Sequence, residues 1–447
     1  MVLIGVLYLA AGILQQFLVN KLYLTASFAI AVSIFGIALK KDNKKLCALF
    51  TTVAILNFIG YFLDRFTWLS ILGILSVILG IIFTVTGFIG LWKKKSNAIL
   101  MILLAVVSCV LVFAGGFLSL TTIKPELTTS LFASWIMGSD PENITEAVQK
   151  ESTLEDGTVL ISDIQYDTED PNGFLDIYYA KNTESEAAPT FLFIHGGGYA
   201  WGDKVSGDPN MAKEGPTDLI TTNVLAKGYN VVQINYALAP EFKFPVAIKQ
   251  LNRGLDFLVQ HGAEYGLDMS RVVISGGSAG GNLAGLLVNI QTNPEYAALI
   301  DEHAVINPDC IKGVYFLATL FDNSRFGCTG DPAVDWMFTQ LGRLYLETNE
   351  LKTDSDVVTP TNVTEYITED FPPAFISDGN TGTFDAQAYE AYEKLVELGV
   401  KVRISYFPAY EAKLGHGYEG SDTKYSRIMY KELFEFLDQC VNERVGL

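Results

Sequence analysis

Two glycine-rich stretches hold the residues with the most chemical potential. In VVISGGSAGGNLAG, residues 272–285, a β-branched apolar run stops at Gly276 and Gly277, Ser278 follows, and Ala279 and Gly280 come next. The segment fits G-x-S-x-G between a strand-like run and the helix-compatible NLAGLLVNI. A sharp strand-to-helix corner holds a serine in strained backbone geometry, and small neighbours relieve the crowding. It also sets the hydroxyl at a helix N-terminus, whose N–H groups favour developing negative charge. In FLFIHGGGYAWGDK, His195 and Gly196–Gly198 directly follow another apolar run. Glycines let a backbone approach a substrate closely with its N–H groups aimed into the pocket. With the N–H of Ala279, this loop could make an oxyanion hole. A phosphate cradle would need a Lys-Ser/Thr or GxGxxG context that the stretch lacks.

A serine hydroxyl needs a base, and the chain has four histidines. His195 belongs to the glycine loop, His261 to a helical stretch and His303 to a polar segment. His416, in KLGHGYEG, sits in a Gly-flanked loop after the last strand-like run and is the natural base. An orienting carboxylate would complete the set. Asp378, at the end of PPAFIS, is favoured because sites in α/β sheets assemble at the carboxyl ends of strands. Asp385 is the alternative acid, and either keeps the chain order Ser, Asp, His.

The elements around these residues follow from periodicity. Strands are expected at TVLISDIQY, FLDIYYA, TFLFIH, NVVQINY, RVVIS, IKGVYFLA, PPAFIS and VKVRISYF. Helices are expected near 216–228, 245–262, 279–292, 386–398 and 422–443. Near-continuous apolar strands alternating with helices imply a mostly parallel sheet covered on both faces. Residues 320–368 interrupt this alternation with DPAVDWMFTQLGRLYLE, and such an insertion serves either as a cap over a site or as a surface excursion.

The first part of the chain differs in kind. Residues 1–124 carry ten Lys/Arg against two Asp/Glu, whereas residues 125–447 carry 21 against 48, within a total formal charge of −19. Apolar runs occupy roughly 2–19, 22–39, 46–63, 68–92 and 98–120, each near the ~20 residues that cross ~30 Å of hydrocarbon. They predict an all-α transmembrane domain of about five spans over 1–124, with the closely joined first pair open to a hairpin or re-entrant reading. A juxtamembrane connector follows over 125–157, and the α/β domain occupies 158–447. The Lys-rich loops KKDNKK and KKKSN should stay cytoplasmic, which places the α/β domain outside the cell. Almost no charge lies inside the runs, so a transport path is not expected. The acidic second part excludes nucleic acid as a partner. No CxxC or Cys/His cluster suggests a metal, and no cofactor is expected. Cys310 and Cys328 could pair as a disulfide on the outer side.

Together, HGGGYAWGD, NYALAPEFKFPVAI, GGSAGGNLA and LGHGY resemble the hormonesensitive-lipase-like, or acetyl-esterase and carboxylesterase, family in order and spacing over about 185–443. The resemblance implies the α/β-hydrolase fold and a serine hydrolase acting on carboxylic esters of short acyl chains through an acyl-enzyme. Carried over, it implies Ser278 as nucleophile, His416 as base, and Gly197, Gly198 and Ala279 as the oxyanion hole. Two positions depart from the family. Gly277 stands where an Asp usually precedes the serine. The family's acid falls at Gly382, where this chain has no carboxylate. The implied partners are a small-molecule or lipid ester and the membrane itself. Acyl transfer to a lipid or wall-polymer hydroxyl is the alternative within enzymes. A non-catalytic adhesion or sensor module is the alternative outside them.

Overall fold

Alternation with period two builds the centre of the sheet. Phe191, Val231, Val273, Tyr315 and Phe375 pack on one face, and their neighbours Leu192, Val232, Ile274, Phe316 and Ile376 on the other. All ten are fully or almost fully buried, so these strands read as apolar runs rather than as one-sided ribbons.

The computed structural model describes residues 148–181, 188–204, 218–348, 351 and 355–441, with Ile74, Ile78, Phe113, Gly116, Phe117 and Lys124 in the N-terminal part. The five apolar runs lie outside the described residues apart from these isolated positions. Among the described residues no helix is long and apolar enough to cross a membrane. The chain divides into two compact units, Met1–Thr128 and Thr129–Leu447.

In the second unit the described residues form a nine-stranded sheet. The strands are β1 Lys150–Thr153, β2 Val159–Gln165, β3 Phe174–Tyr179, β4 Pro189–Ile194, β5 Asn230–Ile234, β6 Asp268–Gly277, β7 Ile311–Leu317, β8 Ala374–Ser377 and β9 Val402–Ser405. Their order is β1-β2-β3-β5-β4-β6-β7-β8-β9. The first three strands pair antiparallel up to the β3–β5 junction. From β5 to β9 every pairing is parallel. The eight strands expected from sequence all form. β1 is additional, within the stretch read as a connector; its short, mostly exposed KEST carries no alternation to reveal it.

The helices are α1 Leu219–Ala226, α2 Val246–His261, α3 Ala279–Thr292, α4 Pro294–Leu299, α5 Pro332–Leu346, α6 Asp385–Glu397 and α7 Lys424–Val441. Residues of α1 and α7 pack with one face of the sheet; residues of α2, α3, α5 and α6 pack with the other. The α3 helix is buried along its whole length, which anchors the element that follows Ser278. One buried ion cluster ties the loop after β4 to the antiparallel side. Lys204 Nζ lies 2.8 Å from Asp163 Oδ1 and 3.2 Å from the fully buried Asp176 Oδ1. Burial pushes the Asp176 carboxyl up to about 6, against the pull of Lys204. Cys310 and Cys328 are not joined: Cys310, Cys328 and Cys440 are thiols, so the expected bridge does not form.

Candidate active site

Ser278 sits between the end of β6 and the first turn of α3, with φ 55° and ψ −117°. A non-glycine residue with this backbone is held there by its surroundings. The surroundings are close-packed backbone. A Cβ at Gly276 would lie 2.2 Å from the Gly280 carbonyl oxygen, and one at Gly280 would lie 2.2 Å from that of Ile194. Neither position admits a side chain, which explains the G-x-S-x-G spacing in steric terms. Ser278 N–H donates to the Leu317 carbonyl at 2.8 Å, tying the corner to β7. The serine keeps part of its surface open to solvent.

His416 reaches this corner from the loop after β9. Its Nε2 stands 2.9 Å from Ser278 Oγ. The rings of Phe338 and Phe384 meet it edge-on, at centroid distances of 5.3 and 5.4 Å. Burial in this apolar surround pushes the imidazole down to about 4, so it is neutral, and able to accept a proton, over most of the pH range. The histidine loop is fastened to the loop after β8 by Asn380. Its side-chain amide donates to the carbonyls of Phe407 and Ala412, both at 2.8 Å. Its Oδ1 accepts from Leu414 N–H at 3.1 Å.

The acid side departs from the expected arrangement. Asp378 is buried at the end of β8, and its Oδ1 accepts from Gly379 N–H at 2.7 Å and from the Thr383 hydroxyl. That hydroxyl in turn stands 3.0 Å from His416 Nδ1. Thr383 is thus interposed between the imidazole and the carboxylate that sequence favoured. Asp385, the alternative acid, opens α6 and makes no hydrogen bond to His416 among the described residues. Gly382, where the resemblance placed an acid, has φ +61°. Its left-handed turn is followed directly by Thr383, which faces the imidazole.

A second carboxyl lies beside the first. Glu419 is fully buried, and its Oε1 accepts from Ser377 Oγ at 2.8 Å. Burial holds Asp378 well above the usual carboxylate range, and the neighbouring Glu419 charge pushes it further. Burial alone carries Glu419 up to about 7. Among the described residues Asp378 Oδ2 and Glu419 Oε2 have no hydrogen-bond partner.

The glycine loop crosses in front of the corner. A Cβ at Gly196 would lie 3.4 Å from Ser278 Cβ and 2.8 Å from the Gly277 carbonyl oxygen. Gly197 and Gly198 take φ +109° and +59°, and their N–H groups make no backbone hydrogen bond among the described residues. Ala279 is the first residue of α3, where an N–H has no intrahelical partner. These three amides are thus uncommitted to backbone partners among the described residues. His195 has a supporting role: its ring stacks on Tyr236 at 4.4 Å and its Nδ1 bonds the Gly196 carbonyl at 2.8 Å. The insertion expected over 320–368 supplies α5, which packs onto this loop. A Cβ at Gly198 would lie 2.5 Å from Leu341 Cδ1, and Tyr345 stacks on Tyr199 at 3.8 Å.

Sequence reasoning thus brought Ser278, His416 and the glycine loop together in one place. It missed Thr383, Asn380, Glu419 and the ring pair on His416. The one available signal was negative, the lack of a carboxylate at Gly382. Among the described residues no cluster of His, Cys, Asp or Glu is arranged to hold a metal ion.

Comparison with known proteins agrees with this fold. Esterase B of Lactobacillus rhamnosis superposes with a TM-score of 0.57 at 20% identity, covering 71% of this chain and 96% of that one. The second unit has the α/β-hydrolase fold, a mostly parallel sheet flanked by helices. A family profile described as BD-FAE matches residues 175–387. Esterase LipI of Mycobacterium tuberculosis is 30% identical over 112 residues, 25% of this chain and 32% of that protein. Lipase 2 of Moraxella sp. is 34% identical over 121 residues, 26% of each chain. These alignments span a third or less of the relatives' own length.

Proposed function

We propose that the chain is a serine hydrolase of carboxylic esters that works through an acyl-enzyme. The observation that carries this reading is the 2.9 Å contact between Ser278 Oγ and His416 Nε2 at a strained, solvent-reachable corner. The esterase and lipase names of the matched relatives support the choice of an ester.

His416 Nε2 takes the serine proton as Oγ attacks the acyl carbon. The tetrahedral oxyanion is held by the N–H groups of Gly197, Gly198 and Ala279; one such donor is worth about 2.7–4 kcal/mol. The alcohol leaves as the C–O bond breaks, taking the proton from the imidazolium. Water then enters by the same route in reverse roles, and the acid is released. Asp378 is the carboxylate of the set. The acidic second unit disfavours anionic substrates, so the ester is neutral, and the family resemblance favours a short acyl group.

The five apolar runs of residues 1–124 support an integral anchor in the cell membrane, with the hydrolase unit outside the cytoplasm. An anchored chain resists extraction at alkaline pH, and its hydrolase unit is digested by protease added outside intact cells. Release by alkaline washing would count against the anchor. For the activity, the wild type should cleave p-nitrophenyl acetate and Ser278→Ala should lose that cleavage. Wild-type rate in the variant would overturn the reading.

A further inference from the structure

We propose that Thr383 is a positioning residue that joins His416 to Asp378 through its hydroxyl, and that this link holds the imidazole in the tautomer that leaves Nε2 free to take the Ser278 proton. This inference rests on the serine-hydrolase reading above.

The argument is one of counting donors. A threonine hydroxyl has one hydrogen and two acceptor sites. Asp378 Oδ1 acts as an acceptor, taking the Gly379 N–H as well, so the Thr383 hydrogen points to Oδ1. The oxygen of Thr383 must then accept from His416, 3.0 Å away. The imidazole proton is therefore on Nδ1, and Nε2 carries the bare lone pair that Ser278 requires. In the opposite tautomer the proton would sit on Nε2, which would then donate to Ser278 Oγ and could not take the serine proton. No group changes its bonding in the forward direction; the hydroxyl transmits orientation and polarity only.

The surroundings fit this role. Thr383 and Asp378 are both almost fully buried, so the link is shielded from competing solvent. Among the described residues Asp378 makes no direct hydrogen bond to the ring: its Oδ1 accepts from Gly379 N–H and Thr383, and its Oδ2 has no hydrogen-bond partner. The ionisable groups acting on the Asp378 carboxyl are Glu419 and Asp385, with the phenols of Tyr406 and Tyr418 beside it. All of these become negative on ionising, so each opposes a charge on Asp378.

The test compares Thr383→Val, which keeps the volume and deletes the hydroxyl, with Thr383→Ser, which keeps the hydroxyl. Both are measured in the full-length protein as pH profiles of kcat and kcat/KM on p-nitrophenyl acetate, beside Ser278→Ala. A hydrogen bond to a charged group supports a loss of about 10- to 150-fold. That loss is expected in kcat for Thr383→Val, with little change in KM, and Thr383→Ser should recover most of it. A Thr383→Val enzyme with wild-type kcat overturns the inference, as does equal loss in both variants. If Thr383→Val behaves as wild type while Ser278→Ala is inactive, only the link fails. If Ser278→Ala is active, the hydrolase reading itself fails.

Discussion

Glu419→Gln isolates the buried carboxyl pair behind the histidine. In the folded protein Glu419 is fully buried, and its carboxyl titrates at about 7 against an ordinary value of 4.5. The proton is therefore held more tightly in the folded chain than in the unfolded one. The stability this gives is complete below pH 4.5 and is lost as pH rises through about 7. At about 1.4 kcal/mol per pH unit, the gap between the two values amounts to about 3 kcal/mol. Relief of Asp378, which the Glu419 charge pushes upward, acts in the same direction. Glutamine keeps an oxygen to accept from Ser377 Oγ and cannot ionise, so the substitution removes the pH-dependent part and leaves the contact. The assay is urea unfolding of full-length wild type and variant in mild detergent, followed by tryptophan fluorescence at several pH values from 4.5 to 8.5. The difference in unfolding free energy should shift by about 3 kcal/mol in favour of the variant across that range. A difference that stays constant, or that shifts toward the wild type, would refute the claim that this carboxyl is ionised at a cost in the fold.

Two further substitutions probe the glycine loop and its support. Gly198→Ala puts a Cβ 2.5 Å from Leu341 Cδ1 at φ +59°, so the loop must shift and misplace an oxyanion donor. Its kcat should fall about 10²–10³-fold, with far-ultraviolet circular dichroism unchanged. Lys204→Met leaves Asp163 and the buried Asp176 facing each other without their cation. Breaking such a buried pair costs about 3–5 kcal/mol, measured by urea unfolding at pH 7.5. Because the Asp176 carboxyl is already pushed up to about 6, the loss should shrink below that pH.

Local sequence carried the parts of the site that local geometry dictates. The corner at Ser278 is legible because no other residue fits at Gly276 or Gly280, where neighbouring carbonyl oxygens leave no room for a Cβ. The glycine loop is legible for the same reason, and the parallel sheet because strands buried on both faces must be apolar. His416 follows by elimination from a small set. Thr383, Asn380 and Glu419 are different: each acts through partners about 30 or more residues away, or through the burial of its surroundings. Thr383 meets His416 across 33 positions, and Ser377 meets Glu419 across 42. Nothing in the spacing of a threonine announces such a meeting. The acid illustrates this best. Its strand end was readable, but the turn at Gly382 that slips a hydroxyl between Asp378 and the imidazole was not. β1 was missed because four mostly exposed polar residues carry no periodic signal.

The most direct measurement is mass-spectrometric mapping of the full-length protein after reaction with a fluorophosphonate probe. The account predicts a covalent adduct on the peptide containing Ser278, absent in Ser278→Ala and slow to form in His416→Ala. An unmodified Ser278 in the folded protein, or an adduct that persists in Ser278→Ala, would contradict it.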